Sequence, residues 1–352
     1  MTQAYPLNSG PTQRCIAVPG LRSNVTDVPE FNSKILAMKN LDYTVINAQD
    51  VLEAAQLYRM VPDLVKMVIV NDEVLFACWK DTSQCRRTAQ NPSGIPIYKM
   101  FSFYFWLFLN HPLGAKWVLL PKPYALEPGA NKNIAYLGYS IEHASAFVPV
   151  ALQLNQAWIL AKQLAYLSPS KSLPWTTVDY NVTVTFTGIY YALGAGLGDG
   201  EAVAPPGLQV PAVYEKDVFM HRLAQSKVLI GVGNPVVSLT LWDGALCLGV
   251  LFLNLLNQWD ENDPDDSSKW HGQHMFVPML GKPYVYNVRQ GNHAGFVQAI
   301  GEAISHPIGL FVPERMHISA VKQRLEEIVN HNWEIEERRQ VKWCHKPCSL
   351  SV

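Results

Sequence analysis

Short apolar runs without polar alternation occur at several points along the chain, and the clearest is Lys227–Val232. This pattern is typical of a parallel strand that is covered on both faces. The run ends at Gly231 and Gly233, after which Leu239–Leu248 places its apolar residues at helical spacing. A second apolar run follows at Val250–Asn254. The stretch therefore predicts a β-α-β unit with glycines at the carboxyl end of its first strand.

The same patterns predict further elements on both sides of this unit. Strands are expected at Tyr43–Asn47, Val65–Val70, Trp117–Leu120, Ile134–Ile141 and Pro283–Val288, and helices at Phe31–Asn40, Asp50–Met60, Phe147–Leu167, Glu215–Gln225, His293–His306 and Ile318–Trp343. Asp50 stands where a helix cap is expected, and Pro62 follows the end of that helix. Strands and helices that alternate in this way indicate α/β domains with parallel sheets.

Proline- and glycine-rich stretches suggest how the chain is divided. Residues 1–29 show no period and are interpreted as an irregular leader, and residues 30–130 as a partial first domain that ends in a proline-rich hinge. Residues 131–317 are expected to form a complete second domain, and 318–352 a final helix and tail. Because Pro29–Leu109 offers too few strands to close a sheet, the amino-terminal domain is expected to be incomplete.

Composition excludes several classes of protein. Hydrophobic residues make up 49% of the 352 and the net charge is −1, so the chain is too apolar for disorder and has no basic stripe for nucleic acid. The longest apolar run, Met100–Leu109, is well short of the ~20 residues that a membrane span needs. The first ten residues show neither a signal peptide nor an anchor.

Six cysteines are present, and two of them bracket a short hydrophilic loop, Cys78 and Cys85. These two can form a disulfide in a secretory compartment, and acceptor sequons at Asn24 and Asn181 are compatible with that compartment. Cys344-His-Lys-Pro-Cys348 has the residue types of a zinc site, but no second ligand pair lies at finger-like spacing. We therefore expect no metal site.

The glycine turn alone does not define a nucleotide site. The stretch from Gly231 to Val236 reads G-V-G-N-P-V, which lacks the third glycine of a dinucleotide fingerprint, and no P-loop lysine follows. A turn that only lets a helix pack on its strand explains the pattern as well. Two α/β halves joined by a hinge, with a final helix able to return, favour the GT-B architecture of nucleotide-sugar transferases.

Two long segments, Asn110–Glu142 and Lys227–Met316, resemble glycosyltransferase family 18, the family of N-acetylglucosaminyltransferase V. The second segment carries the steps KVLIGVGNP, LWDGALCLG, FLN, GQH, GKPYVYNV and FVPERM in the order of the family. A fainter likeness extends over Leu41–Asp72. The resemblance indicates a fungal-type or amino-terminally shortened relative.

This resemblance implies a GT-B enzyme of two Rossmann-like domains that needs no cofactor or metal. Its donor is UDP-N-acetylglucosamine and its acceptor a mannose in an N-glycan, joined in β1,6 linkage with inversion. The family works in the Golgi lumen or elsewhere in the secretory pathway.

The donor site implied by the resemblance follows the glycine turn. Candidate contacts are Gly231, Gly233, Asn234, Asp243, Asn254, Gln273 and His274, with Lys269 or Lys282 to neutralise the departing diphosphate. Asp243 matches an acidic position of the family only with one inserted residue, and Gly244 falls there without it. Val237 or Ser238 stands at another acidic position. Asn254 can equally be a strand-end turn residue, and Gln273 and His274 members of a solvated loop.

An inverting transfer also needs a carboxylate that takes the proton of the acceptor hydroxyl. In the family this base is a glutamate in a glycine-rich loop, and no such loop occurs here. Glu30 is the acidic residue in the matching order, and Asp27 and Asp72 fit worse.

Three functions remain open at this point. The first is a transferase of the family. The second is a non-catalytic or truncated relative that binds nucleotide-sugar or glycan without turnover, favoured by the missing glycine-rich loop. The third is a nicotinamide-dependent oxidoreductase, disfavoured by the missing third glycine.

Overall fold

The computed structural model divides the chain into two units, Met1–Ser140 with Pro313–Val352, and Ile141–Val312. The structure describes residues 14–19, 41, 43–48, 50–70, 72–103, 111–120, 135–142, 144, 153–161, 166, 183–190, 206–209, 214–232, 240–242, 246–272, 274, 277 and 280–343. We call the two parts the first and the second unit.

A parallel sheet forms the centre of the first unit. Its strands are β1 (Arg14–Pro19), β2 (Tyr43–Ala48), β3 (Val65–Val70), β4 (Met100–Phe103), β5 (Val118–Leu120) and β6 (Ala135–Tyr136). They lie in the order β2-β1-β3-β4-β5-β6, and every neighbouring pair is parallel. Strand β2 lies on one side of β1, and β3 and the later strands lie on the other side. The carboxyl ends of β1 and β3 are therefore at the switch point of the sheet.

The expected irregular leader is wrong, because β1 lies inside it and pairs with two strands. The short run RCIAVP stands between prolines and glycines and gives no period by itself, so its neighbours in the sheet decide its conformation. The Ala135–Tyr136 stretch closes the first sheet, although the sequence pattern assigned it to the second domain. With β1 and β6 included, the first sheet has six strands among the described residues, which is more than the sequence pattern predicted.

Helices of the first unit are α1 (Val51–Met60), α2 (Asp72–Lys80), α5 (Ile318–Asn330) and α6 (Trp333–Trp343), where α5 and α6 follow the second unit in the chain. Asp50 caps α1 as predicted, because its carboxylate accepts from the N–H groups of Leu52 and Glu53 at 2.8 and 2.9 Å. The single helix expected over Ile318–Trp343 is instead two helices, and Asn332 between them caps α6.

The core of the first unit joins the sheet to α5, so the last helices return to the first unit. Side chains of β3, β4 and β5, with Trp117 just before β5, pack against the apolar face of α5: Met67, Ile69, Phe101, Trp117, Leu119, Val321, Leu325, Ile328 and Val329. A second cluster lies around α1 and α2, where Cys78 and Cys85 form the predicted disulfide.

The second unit contains β7 (Leu154–Ala161), β8 (Thr185–Tyr190), β9 (Leu208–Gln209), β10 (Ser226–Gly231), β11 (Leu251–Gln258), β12 (His271–Gly272) and β13 (Val285–Arg289). The parallel strands lie in the order β9-β8-β7-β10-β11-β13, and β12 pairs antiparallel with the end of β11. Counting from β7, this is the 3-2-1-4-5-6 order of a doubly wound nucleotide-binding sheet. The expected α/β fold with two Rossmann-like parallel sheets is confirmed.

One prediction in this unit is wrong in type. A helix was expected over Phe147–Leu167, whereas Leu154–Ala161 is the first strand of the sheet and lies between β8 and β10. Its apolar residues fit a helical period, but backbone pairing on both edges outweighs that local preference.

The predicted elements are confirmed within a residue or two in α3 (Lys216–Ala224), β10, β13 and α4 (His293–Ser305), and β11 runs on to Gln258, beyond the predicted end at Asn254. Phe296 and Ile300 of α4 pack on the sheet in the main core of the second unit. The helix expected over Leu239–Leu248 is seen as a turn at 240–242 and a 3-10 turn at Leu246–Leu248, and 243–245 lie outside the described residues. No helix in the described residues is long and apolar enough to cross a membrane.

Candidate functional site

The end of β10 is the centre of the candidate site. Gly231 is its last residue and lies between Leu160 of β7 and Asn254 of β11. The strands β7 and β10 are the neighbours at which the strand order reverses, so the crevice outside their carboxyl ends is the expected ligand position in a sheet of this kind. We call this rim the carboxyl edge of the second sheet.

At this edge of the sheet, β12 lies on the same side of β11 as β10. A strand has two edges, and β13 occupies one edge of β11 from Phe252 to Leu256. Therefore β10, which pairs with Leu251–Asn254, and β12, which pairs with Leu256 and Gln258, share the other edge. The chain at His271–Gly272 thus lies where β10 would continue.

Asn254 lies in the middle of β11, so its interpretation as a strand-end turn residue is wrong. Its side chain is fully buried, and its Nδ2 donates to Asn287 Oδ1 of β13 at 3.0 Å. In the described part of the chain, Asn254 Oδ1 has no hydrogen-bond partner. Gly272 lies against this oxygen, since a Cβ there would come within 2.7 Å of it, so only glycine allows this close approach.

His274 is 2% exposed, which rules out the solvated-loop interpretation for this residue. Its ring stands edge-on to the ring of Phe252 in β11, with a centroid separation of 5.0 Å. Burial lowers its pKa to about 3, so the imidazole is neutral at physiological pH. Among the described residues, no group bonds to its Nε2.

Asn254 Oδ1, next to the end of β10, and His274 Nε2, on the ring that packs on Phe252, are therefore two buried polar atoms without partners among the described residues. An unsatisfied buried polar group of this kind costs about 1–3 kcal/mol, and native structures contain few of them. A ligand hydroxyl group could donate to Asn254 Oδ1, and a hydroxyl, carbonyl or phosphate oxygen could accept from His274 Nε2 when that nitrogen carries the proton. Neutral His274 can then act as a hydrogen-bonding group but not as a cation.

The cations at this edge differ from those predicted. Lys282 precedes β13 and so lies at the opposite, amino edge, where it pairs with Glu302. Its predicted role at the diphosphate is therefore wrong. Lys269 is exposed in the connection from β11 to β12, at the carboxyl end of β11. Arg289 ends β13 at the same edge, but it is paired with Asp265 at 3.0 Å.

Several predicted site residues lie outside the described residues: Glu30, Gly233, Asn234, Asp243 and Gln273. Gly231 and Asn254 are register partners in neighbouring strands, and His274 packs on Phe252, two residues before Asn254. Within the described ranges, no cluster of three histidine, cysteine or acidic side chains could hold a metal ion.

Sequence reasoning missed two residues of this region. Asn287 holds Asn254 in place, and only the pairing of β11 with β13 reveals it. Trp242, in the helical turn after β10, is buried, and its Nε1 finds no acceptor among the residues the structure describes. The sequence assigned Trp242 to a packing face, and a buried indole N–H without a partner is the signal it could not show.

Comparison with solved structures finds only distant similarity. The structure titled "Glycotransferase of kitacinnamycin" is 11% identical with a TM-score of 0.41 and covers 94% of this chain and 96% of its own. Arabidopsis thaliana UGT89C1 complexed with UDP is 12% identical with a TM-score of 0.40 and covers 94% and 100%. UDP-GlcNAc 2-epimerase from Neisseria meningitidis, bound to UDP-GlcNAc, is 11% identical with a TM-score of 0.33 and covers 91% and 100%.

No protein-family model matches the chain, and no curated protein matches it. At the scores above, the solved structures add nothing to what the two sheets show by themselves. Membership of glycosyltransferase family 18 stays a prediction from the sequence.

Proposed function

We propose that this chain binds UDP-N-acetylglucosamine at the carboxyl edge of the second sheet and transfers N-acetylglucosamine to a mannose of an N-glycan. The proposal takes its chemistry from the resemblance to glycosyltransferase family 18. It takes its location from the switch point between β7 and β10. The resemblance also gives the β1,6 linkage, inversion without a metal, and the Golgi or secretory compartment.

The observation that carries the proposal is the pair of buried atoms without partners, Asn254 Oδ1 and His274 Nε2. Both belong to steps of the sequence, FLN and GQH, on which the resemblance rests. Asn254 is the register partner of Gly231, where the proposal requires the nucleotide to approach the backbone, and His274 packs on Phe252 in the same strand as Asn254. A packing role for these residues would not explain why each leaves a polar atom unsatisfied.

The hydrogen-bonding role of each residue follows from its chemistry. Asn254 Oδ1 accepts, so it suits a hydroxyl group of the ribose or the sugar. A neutral imidazole carries a proton on one nitrogen, and Nε2 can donate to a phosphate or carbonyl oxygen when the proton is there. Both bonds would form in a dry environment, where they are stronger than in water.

The catalytic base stays a prediction. The chain leaves β1 at Pro19, beside the switch point of the first sheet, and Glu30 follows in the sequence outside the described residues. If the chain transfers sugar, Glu30→Gln should remove most of the rate and leave UDP affinity unchanged, because an amide cannot accept the proton.

A second function, donor or glycan binding without turnover, has one observation in its favour. Lys282 lies at the amino edge, and Arg289 is neutralised by Asp265. Among the described residues at the carboxyl edge, Lys269 is left to stabilise a departing diphosphate. Since that charge stabilisation is a large part of catalysis, its weakness here favours slow or absent transfer by this chain.

Calorimetric titration with UDP, without any metal, tests the proposed site. We expect binding that weakens about tenfold or more in a His274→Asn variant, because the shorter asparagine amide reaches the position of Nδ1 but not that of Nε2. The matched control is His306→Asn, at an exposed histidine at the end of α4 in the same unit.

Three results would contradict the proposal. The first is no response to UDP in a folded protein. The second is tight binding of NADH without a response to UDP, which would support the oxidoreductase. The third is equal weakening of UDP binding by His274→Asn and His306→Asn.

A further inference from the structure

A second concave region lies along the outer edge of β13 and is separate from the end of β10. It is a groove of about 540 Å³, in the size range of small-molecule sites. All five residues of β13 line it, and because neighbouring strand residues point to opposite faces, the groove must follow the edge of the strand. One face of α4 forms its other wall, with Asn292, Gly295, Gln298 and Glu302 at helical spacing.

The groove presents balanced charge. Lys282 pairs with Glu302 at one end, and Arg289 pairs with Asp265 at the other. Each cation is thus neutralised by a partner that also lines the groove. A charged ligand would have to compete with these pairs, so the lining favours a neutral one.

Polar groups of both kinds lie between these two ends. The amides of Asn287, Asn292 and Gln298 can donate and accept, and Gln298 Nε2 already donates to Glu302 Oε1 at 2.8 Å. Near the Arg289 end, Trp270 adds an indole ring, held in place because its Nε1 donates to Pro264 O at 2.9 Å. Aromatic rings combined with amides recognise sugars, which have both apolar C–H faces and hydroxyl groups.

The edge is too short to take up a peptide strand. Tyr284 C=O and Gln290 N–H bond to β11. Because the backbone groups of successive residues in a strand point to opposite sides, those of Val285, Asn287 and Arg289 point away from β11. Val285 N–H, however, already bonds to Gly281 O, and Arg289 C=O already accepts from Asn292 N. Strand addition needs a row of open backbone groups, and here the row is closed at both ends.

We propose that this groove binds a short neutral oligosaccharide. Trp270 would stack on one sugar ring, and Gln298, Asn287 and Asn292 would bond to hydroxyl groups. Asn287 also accepts from Asn254, so the groove adjoins the carboxyl edge without sharing its unpartnered atoms. The proposal does not depend on UDP binding and can fail separately from it.

Titration of the full chain with two neutral trisaccharides, mannotriose and chitotriose, tests this site by calorimetry. We expect at least one of them to bind, and which one binds identifies the sugar type. Gln298→Ala and Trp270→Ala should each weaken binding about tenfold, the size of one hydrogen bond or stacking contact. Trp270→Phe keeps an aromatic ring and should retain more affinity than Trp270→Ala.

The matched control is Gln323→Ala in α5. Gln323 Nε2 faces Glu327 Oε1 four residues on, as Gln298 faces Glu302, but it lies outside the groove. Binding by this variant should equal that of the parent. The proposal is overturned if neither trisaccharide binds, if Gln298→Ala binds like Gln323→Ala, or if UDP displaces the sugar.

Discussion

Two buried histidines, one in each unit, differ in a way that separates packing from function. His111 in the first unit stacks on Trp117 and has both ring nitrogens bonded. Leu113 N–H donates to Nδ1 at 3.0 Å, so the proton must be on Nε2, which donates to Met100 O at 3.1 Å. His274 in the second unit packs on Phe252 with Nε2 unbonded in the described part of the chain.

Burial alone therefore does not distinguish these residues. Burial lowers both pKa values, to about 4 for His111 and about 3 for His274. The difference is in the hydrogen bonds. A buried histidine whose two ring nitrogens are both hydrogen-bonded has a structural role. A buried histidine with an unbonded ring nitrogen, in a sheet of the nucleotide-binding type, is a candidate ligand-binding residue.

The largest expected effect comes from removing the satisfied histidine. His111→Ala leaves Met100 C=O and Leu113 N–H without partners and opens a cavity beside Trp117, so we expect a loss of roughly 2–5 kcal/mol in unfolding free energy. Urea denaturation measures it, and UDP affinity should stay unchanged. His274→Ala should destabilise the fold less, because its Nε2 makes no bond to lose. Equal destabilisation by the two variants would contradict the claim that His111 has a structural role and His274 does not.

A smaller loss of folding stability is expected when the pH is lowered. The folded-state pKa of His111 lies below the unfolded value of about 6.5, so the neutral form stabilises the fold. Stability should be constant above pH 6.5 and fall as the pH drops toward 4, by roughly 3 kcal/mol, because burial disfavours the charged imidazolium in the folded state. Comparing the urea midpoints of the parent and His111→Asn between pH 7 and 4.5 isolates this contribution. Identical slopes would contradict it.

Elements with a local signal in the sequence were predicted correctly, and elements that depend on residues distant in the sequence were missed. Asp50 and the helix that it caps, the run into Gly231, and the return strand to Asn254 carry local signals, and all were predicted. The strands β1 and β7 were missed, because their backbone groups are satisfied by neighbours distant in sequence. A period in one short segment cannot show that pairing.

The candidate site residues show the same difference between local and distant signals. The resemblance pointed to Asn254 and His274, but their burial and open atoms depend on the positions of β12 and β13. Lys282 was misplaced because its role was taken from the resemblance, although it directly precedes the predicted strand Pro283–Val288 and so belongs to the amino edge of a parallel sheet. Asn287 was missed because its contact with Asn254 is set by strand register.

The smallest expected effect is an absence of pH dependence in binding. Because the pKa of His274 is about 3, this residue stays neutral from pH 8 to 5.5, and UDP-N-acetylglucosamine affinity should vary by no more than about twofold. Calorimetry at the two pH values measures it. Affinity that rises on acidification would indicate an imidazolium at the diphosphate and would contradict the neutral role of His274.

The central claim is that the open nitrogen of His274 is a ligand-binding atom, and nitrogen-15 NMR of the histidine rings tests it most directly. On addition of UDP-N-acetylglucosamine, the Nε2 signal of His274 should move as it gains a hydrogen bond, and both ring signals of His111 should stay in place. Saturating ligand that leaves the His274 signal unchanged, or shifts the two histidines alike, would contradict the account.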